Sequence, residues 1–277
     1  MVLIVKMLVI GGLTGVLSGL LGVGGGFIMI PLLNSAGLSM REAAGLSILY
    51  VAFTVGAGAF RHMKLGTVDV ILTLLLLAGA TPMVLLGAHY TTVLPNSVLE
   101  LVFAFIVLAT TIVYLVWGRR EPTPREPAPL MRPSHSWHKL SRQKDVGNEK
   151  LAYNLNLMSA VGVGACTGFF SGLLGVGGGW LMVPLLRLSM RIPIRVAIGT
   201  SLSGILLPAA VGTVSHWRLG NIPLEGSIPL ILSGMVGSQF GAILAVRLPR
   251  PWLERSLVTL LTIAAVYMFA RGFGLLQ

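Results

Sequence analysis

The chain has 277 residues, 55% of them hydrophobic and 10% charged, with a mean hydropathy of +0.86. Soluble domains carry about 25% charged residues, so this composition excludes a water-soluble globular protein and assigns the chain to a bilayer. The net charge of +11 agrees with an anionic partner, although a basic central linker holds much of it, and the lone Cys166 excludes an internal disulfide and any multi-cysteine metal site.

Lys and Arg are absent from 7–40, 65–118, 151–186, 196–217 and 219–246, windows long enough for helices across about 30 Å of hydrocarbon. Runs this apolar must be helical, because a membrane barrel would alternate in polarity. The hydrophobic segments are 3–34, 43–61, 68–89 and 97–117, then 154–186, 197–216, 224–246 and 252–272. The first lacks a small-residue cleavage site and has an internal copy, so it is expected to be retained and not removed as a signal peptide. The pattern predicts an all-α polytopic membrane protein with a first transmembrane repeat at 1–117, a basic cytoplasmic linker at 118–152 and a second repeat at 153–277. The linker is rich in Pro, Arg, Lys, Ser and Glu and reads as flexible and solvated.

The two repeats are visible letter by letter. Ser18-Gly-Leu-Leu-Gly-Val-Gly-Gly-Gly-Phe-Ile-Met-Ile-Pro-Leu-Leu33 returns as Ser171-Gly-Leu-Leu-Gly-Val-Gly-Gly-Gly-Trp-Leu-Met-Val-Pro-Leu-Leu186. Beyond it a constant offset of 154 matches Arg41 to Arg195, Ser47 to Ser201, Gly58 to Gly212, His62 to His216 and Glu100 to Glu254. Orientation follows from the positive-inside bias. With the eight Lys and Arg of the linker inside, a single crossing per segment leaves five further positives inside and seven outside. Folding the first segment of each repeat back on itself instead gives eight inside and four outside. Three crossings per repeat also invert the second half, so the expected architecture is two inverted four-segment repeats. Each opens with a glycine-broken, re-entrant helical hairpin.

Gly22, Gly24, Gly25 and Gly26, with Gly175, Gly177, Gly178 and Gly179, each cost roughly 1 kcal/mol relative to alanine in a helix interior. A helix break is therefore expected, and broken backbone at membrane depth must face protein or a water-filled cavity. The half-helix that restarts after each break offers partnerless amides and a positive dipole end, a site for an anion. Close packing of small residues is the alternative use of such glycines. A nucleotide loop fails, because no Lys-Ser or Lys-Thr follows the glycines. Ser18, Ser171, Ser47, Thr200, Ser201 and Gln239 are the polar residues expected to complete a substrate site. His62 and His216 are read either as proton carriers or as helix anchors at the interface.

All nine carboxylates lie in loops or near segment ends, which disfavours cation antiport. No Ser-His-Asp spacing, His/Glu metal motif or carboxylate pair is present to support an enzyme, and neither metal nor cofactor is expected. The doubled glycine run, Gly199-Thr200-Ser201 and the paired His62 and His216 together resemble the TauE/SafE family of sulfite and organosulfonate exporters, across both halves. The resemblance implies a multi-pass inner-membrane permease that exports small sulfur-containing anions such as sulfite, sulfoacetate or thiosulfate, and the expected inverted repeats suggest alternating access as its mechanism. A passive anion channel and an uptake permease for small organic anions remain open alternatives. The expected partners are the anion and the lipid bilayer, without nucleic acid, and oligomeric state is left open, a homodimer included.

Overall fold

A computed structural model describes residues 2–35, 37–117, 139–146, 149–223 and 226–272. Among these described residues ten helices run α1 (Val2–Leu21), α2 (Gly26–Ser35), α3 (Met40–Lys64), α4 (Val70–Val93), α5 (Asn96–Trp117), α6 (Leu157–Leu174), α7 (Gly179–Met190), α8 (Ile194–Arg218), α9 (Ser227–Arg247) and α10 (Arg250–Gly272). Strands β1 (Lys139–Val146) and β2 (Glu149–Asn156) lie between α5 and α6. Among the described residues six helices are long and apolar enough to cross a membrane: α3, α4, α6, α8, α9 and most of α5.

The first segment of each half is split where the glycines predict it, between α1 and α2 and between α6 and α7. Polar side chains mark the other boundaries. Ser39 and Glu42 form a reciprocal capping box at the start of α3, and Asp69 caps α4 through the amides of Ile71 and Leu72. Arg41 donates to the carbonyl of Leu94 at the end of α4, and its repeat counterpart Arg195 donates to Leu248 at the end of α9. Each guanidinium thus meets the negative end of a helix.

Packing is reciprocal between the halves. Gly11, Gly15 and Gly19 of α1 lie against Leu230, Gly234 and Ser238 of α9; Gly164, Gly168 and Gly172 of α6 lie against Leu76, Ala80 and Val84 of α4. A Cβ at Gly15 would stand 2.3 Å from the Gly234 carbonyl oxygen, so these backbones touch, as small residues four apart permit. Both pairs run parallel, since the numbers rise together. In contrast α3 and α8 are antiparallel, with Gly45 beside Asn221, Ile48 beside Gly212 and Gly58 beside Leu202. Tyr50 and His62 of α3 bond to the carbonyls of Gly11 and Gly19, so α3 runs with α1. Leu76 and Val84 of α4 meet Gly204 and Gly212 of α8 in rising order. Helices α1, α3 and α9 therefore point one way and α4, α6 and α8 the other, and each corresponding pair is opposed. Meanwhile α2 turns back along α3, with Gly26 at Ser47 and Asn34 at Met40.

The central linker needs correction. Residues 118–138 and 147–148 lie outside the described residues, but 139–146 and 149–156 pair as an antiparallel hairpin with Arg142 opposite Tyr153. Part of the stretch read as a flexible linker is therefore ordered, and among the described residues the regular structure is helical apart from this hairpin. Leu151, Tyr153 and Leu155 alternate inward while Ala152 and Asn154 face out, the period of a half-buried strand. The hairpin docks on Asp69, a buried carboxylate that accepts hydrogen bonds from the amides of Ile71 and Leu72, from Arg142 Nε (3.1 Å) and Nη2 (3.3 Å), and from the Tyr153 hydroxyl. Burial alone would raise its pKa; the hydrogen bonds from Tyr153, Arg142 and Leu72 outweigh that and hold the carboxyl below the usual range.

A depressed folded-state pKa adds stability above the unfolded value, about 4, and loses it as pH falls through the folded value. Melting in detergent at pH 7 should accordingly show Asp69→Asn less stable by about 2 kcal/mol. At pH 3 the gap should narrow.

Candidate functional site: two converging helix breaks

Each break is built the same way. Gly22 ends α1 with φ 71° and its N–H bonded to the Ser18 carbonyl at 2.9 Å; Gly175 ends α6 with φ 69° and the same bond to Ser171 at 2.9 Å. The next glycines, Gly24 and Gly25, then Gly177 and Gly178, also hold φ between 74° and 80°, a region where a side chain would be strained. The chain then restarts as α2 and α7, whose first bonds run from the N–H groups of Ile28 and Met29 to the Gly25 carbonyl and from those of Leu181 and Met182 to the Gly178 carbonyl. Among the described residues no hydrogen bond reaches the amides of Gly24, Gly25, Gly26 and Phe27, or those of Gly177, Gly178, Gly179 and Trp180. These donors sit at the positive ends of two helix dipoles, each equivalent to roughly half a charge.

The two breaks touch. A Cβ on Gly26 would lie 2.5 Å from the Val176 carbonyl oxygen, and one on Gly179 would lie 2.5 Å from that of Gly22. Gly24 and Gly177 both face Val51, at 3.3 and 2.4 Å on the same measure. Ser201 donates to the Gly22 carbonyl at 2.6 Å, across the halves, while Ser47 donates to Gly26 at 3.4 Å within its own. All ten residues of the two runs from Gly22 to Gly26 and from Gly175 to Gly179 are buried.

Ser18 and Ser171 stand beside the breaks, with their Cβ atoms 3.4 and 3.3 Å from the position of a Cβ on Gly25 and Gly178. Both are buried, and neither hydroxyl has a partner. Twice over, an unsatisfied hydroxyl is held against a row of unsatisfied amides. Among the described residues, the carboxylates occupy a loop, the hairpin or the first five positions of a helix: Glu42, Asp69, Glu100, Asp145, Glu149 and Glu254. None stands at the breaks, so the local potential is set by the helix ends.

The other expected site residues lie elsewhere or serve the scaffold. Thr200 accepts from the Asp69 amide at 3.0 Å, which ties α8 to the α3–α4 loop. Gln239 is exposed on α9, so the expectation that it lines the site does not hold: one step along the helix it is Ser238 that turns inward, buried and without a hydroxyl partner. His62 and His216 are buried, each with Nε2 at 3.0 Å from a carbonyl, of Gly19 and Gly172 respectively. A carbonyl can only accept, so Nε2 carries the proton in both. The rings tie α3 to α1 and α8 to α6, just before the breaks. Tyr50 was not singled out by sequence, yet its ring is 3.3 Å from a Cβ on Gly25 and its hydroxyl meets Thr14 at 2.8 Å. Its repeat position is Gly204, so a search for doubled residues passes over it.

Comparison with known proteins gives a consistent set. The family described as Sulfite exporter TauE/SafE matches residues 7–270. The probable membrane transporter protein YunE of Bacillus subtilis is 26% identical over 246 residues, covering 86% of this chain and 87% of that protein. A probable membrane transporter protein of Haemophilus influenzae is 28% identical over 290 residues, covering 97% and 98%. YdhB of Bacillus subtilis, also named a probable membrane transporter protein, is 38% identical over 108 residues, 38% of this chain and 43% of that one. No solved structure matches the chain.

A buried hydroxyl without a partner costs about 1–3 kcal/mol. Ser18→Ala and Ser171→Ala should therefore melt no lower than the parent protein, which thermal melting in detergent without added ligand measures.

Proposed function

The chain belongs to the TauE/SafE family, and from that premise we propose that it is a secondary transporter that exports small sulfur-containing anions across the inner membrane. The observation that carries the reading is the meeting of two partnerless helix starts, each flanked by an unsatisfied buried serine hydroxyl. Amide and hydroxyl donors around two positive dipole ends suit a tetrahedral or pyramidal oxyanion, such as sulfite or a sulfonate, and repel a cation. Ser18, Gly22, Gly24, Gly25, Gly26, Ser171, Gly175, Gly177, Gly178 and Gly179 are the residues of this site. Ser47 and Ser201 keep the breaks in shape by donating to the carbonyls of Gly26 and Gly22.

The transport cycle we propose is a rocking of inverted repeats. Its support is the opposed direction of α1 and α6, of α3 and α8, and of α4 and α9, together with the return of α2 along α3. In such repeats the substrate sits near the midplane at the interface of the halves. The buried breaks then correspond to an occluded stage, with Val51 and Tyr50 closing one side. Proton coupling would run through His62 and His216; a flux indifferent to a pH gradient assigns both to helix tying alone.

Transport should vanish in Gly25→Val and Gly178→Val while membrane insertion persists, because a branched side chain cannot hold φ near 75° and would fill the space beside the serine. Counterflow of labelled sulfite in proteoliposomes measures this. Full exchange in both variants would sink the reading, and unsaturable conductance without exchange would favour a channel.

A further inference from the structure

We infer that the β1–β2 hairpin is a one-sided latch: clamped on Asp69, it ties the two halves together at the linker end of the bundle and must lift before the site opens to that side. This rests on the alternating-access reading above. The α3–α4 loop, which carries Asp69, belongs to the first half. It lies against the start of α8 in the second, with Gly199 packed on Thr67 and the Asp69 amide bonded to Thr200. That seam has to slide when one half rocks against the other.

The hairpin spans the same seam from outside. Strand β2 runs without interruption into α6, whose first turn is capped by Asn156, so the hairpin moves with the second half. It also packs on α7, the half-helix that starts at the second break. Its grip on the first half is chemical and specific: Arg142 and Tyr153, directly opposite in the strand pair, converge on one buried carboxylate. Val146 and Leu155 are buried at 1% and 0% exposure, so the contact is packed as well as charged.

Symmetry gives the latch its direction. The repeat counterpart of Asp69 is Pro223, which has no carboxylate and no amide hydrogen. At the opposite end the corresponding loop meets α3 through Asn221 and Gly45, and among the described residues no strand pair covers it. Whatever holds that end closed, it is not a copy of this device.

The test is accessibility, with two reporters in a Cys166→Ser background. Ile192→Cys, fully buried between α7 and α8, reports the linker end; Ala43→Cys, fully buried in the first turn of α3, reports the other. A membrane-impermeant thiol reagent is applied to either face of sealed vesicles. Arg142→Gln, Tyr153→Phe and Asp69→Asn, the last of which retains an oxygen to cap α4, should each raise labelling at Ile192→Cys at least tenfold from the linker face and leave Ala43→Cys unchanged. Unchanged labelling at Ile192→Cys overturns the latch. So does an equal rise at both reporters, which would mean general loosening. Labelling requires no anion, so this result and the anion-exchange result stand or fall separately.

Discussion

The whole arrangement depends on one constraint of the bilayer as a solvent: backbone that leaves a helix at membrane depth must be kept from lipid, inside protein or against a water-filled cavity. This chain leaves the helix twice, and the two departures are set against each other. The Gly22 carbonyl is met from the other half by Ser201 and that of Gly26 from its own half by Ser47, whereas the freed amides are left as donors. Small residues then become necessary far from the site. The glycine rows on α1 and α6 let α9 and α4 approach to backbone contact, and that closeness brings the breaks together in a buried centre. The proposed anion chemistry and the observed helix packing draw on the same residues.

The breaks were legible because glycine has two costs that nothing else explains, one in helix propensity and one in lost side-chain contacts. Repetition of the run at 22–26 and 175–179 removed chance as an explanation. The long helices α3, α4, α5 and α8 lie within a few residues of the hydrophobic segments 43–61, 68–89, 97–117 and 197–216. Gln239 was misread for a reason that hydropathy cannot correct: an apolar window says that a segment is in the membrane, not which side of it faces inward. Ser238, one residue away and about 100° around the helix, is the inward group.

Two features escaped for the opposite reason, being local and unrepeated. Leu151, Ala152, Tyr153, Asn154 and Leu155 alternate as a strand should, but five residues inside a polar stretch weigh little beside a Pro-rich composition. Asp69 looked like a loop carboxylate of no account. Its importance comes from Arg142 and Tyr153, 73 and 84 residues away, and no spacing rule joins residues so distant.

The unmatched positions carry a consequence of their own. Two perfect copies facing opposite ways would give a pair of end states equal in energy, one the rotated image of the other, and the protein would rest equally in both. In the proposed transport cycle, Tyr50 answered by Gly204, and Asp69 answered by Pro223, lift that degeneracy. Each tenfold preference for one resting state needs only about 1.4 kcal/mol, less than a single well-made charged hydrogen bond can supply. A duplicated chain thus acquires a preferred face from a handful of side chains, while the shared glycine frame keeps the path between the faces unchanged.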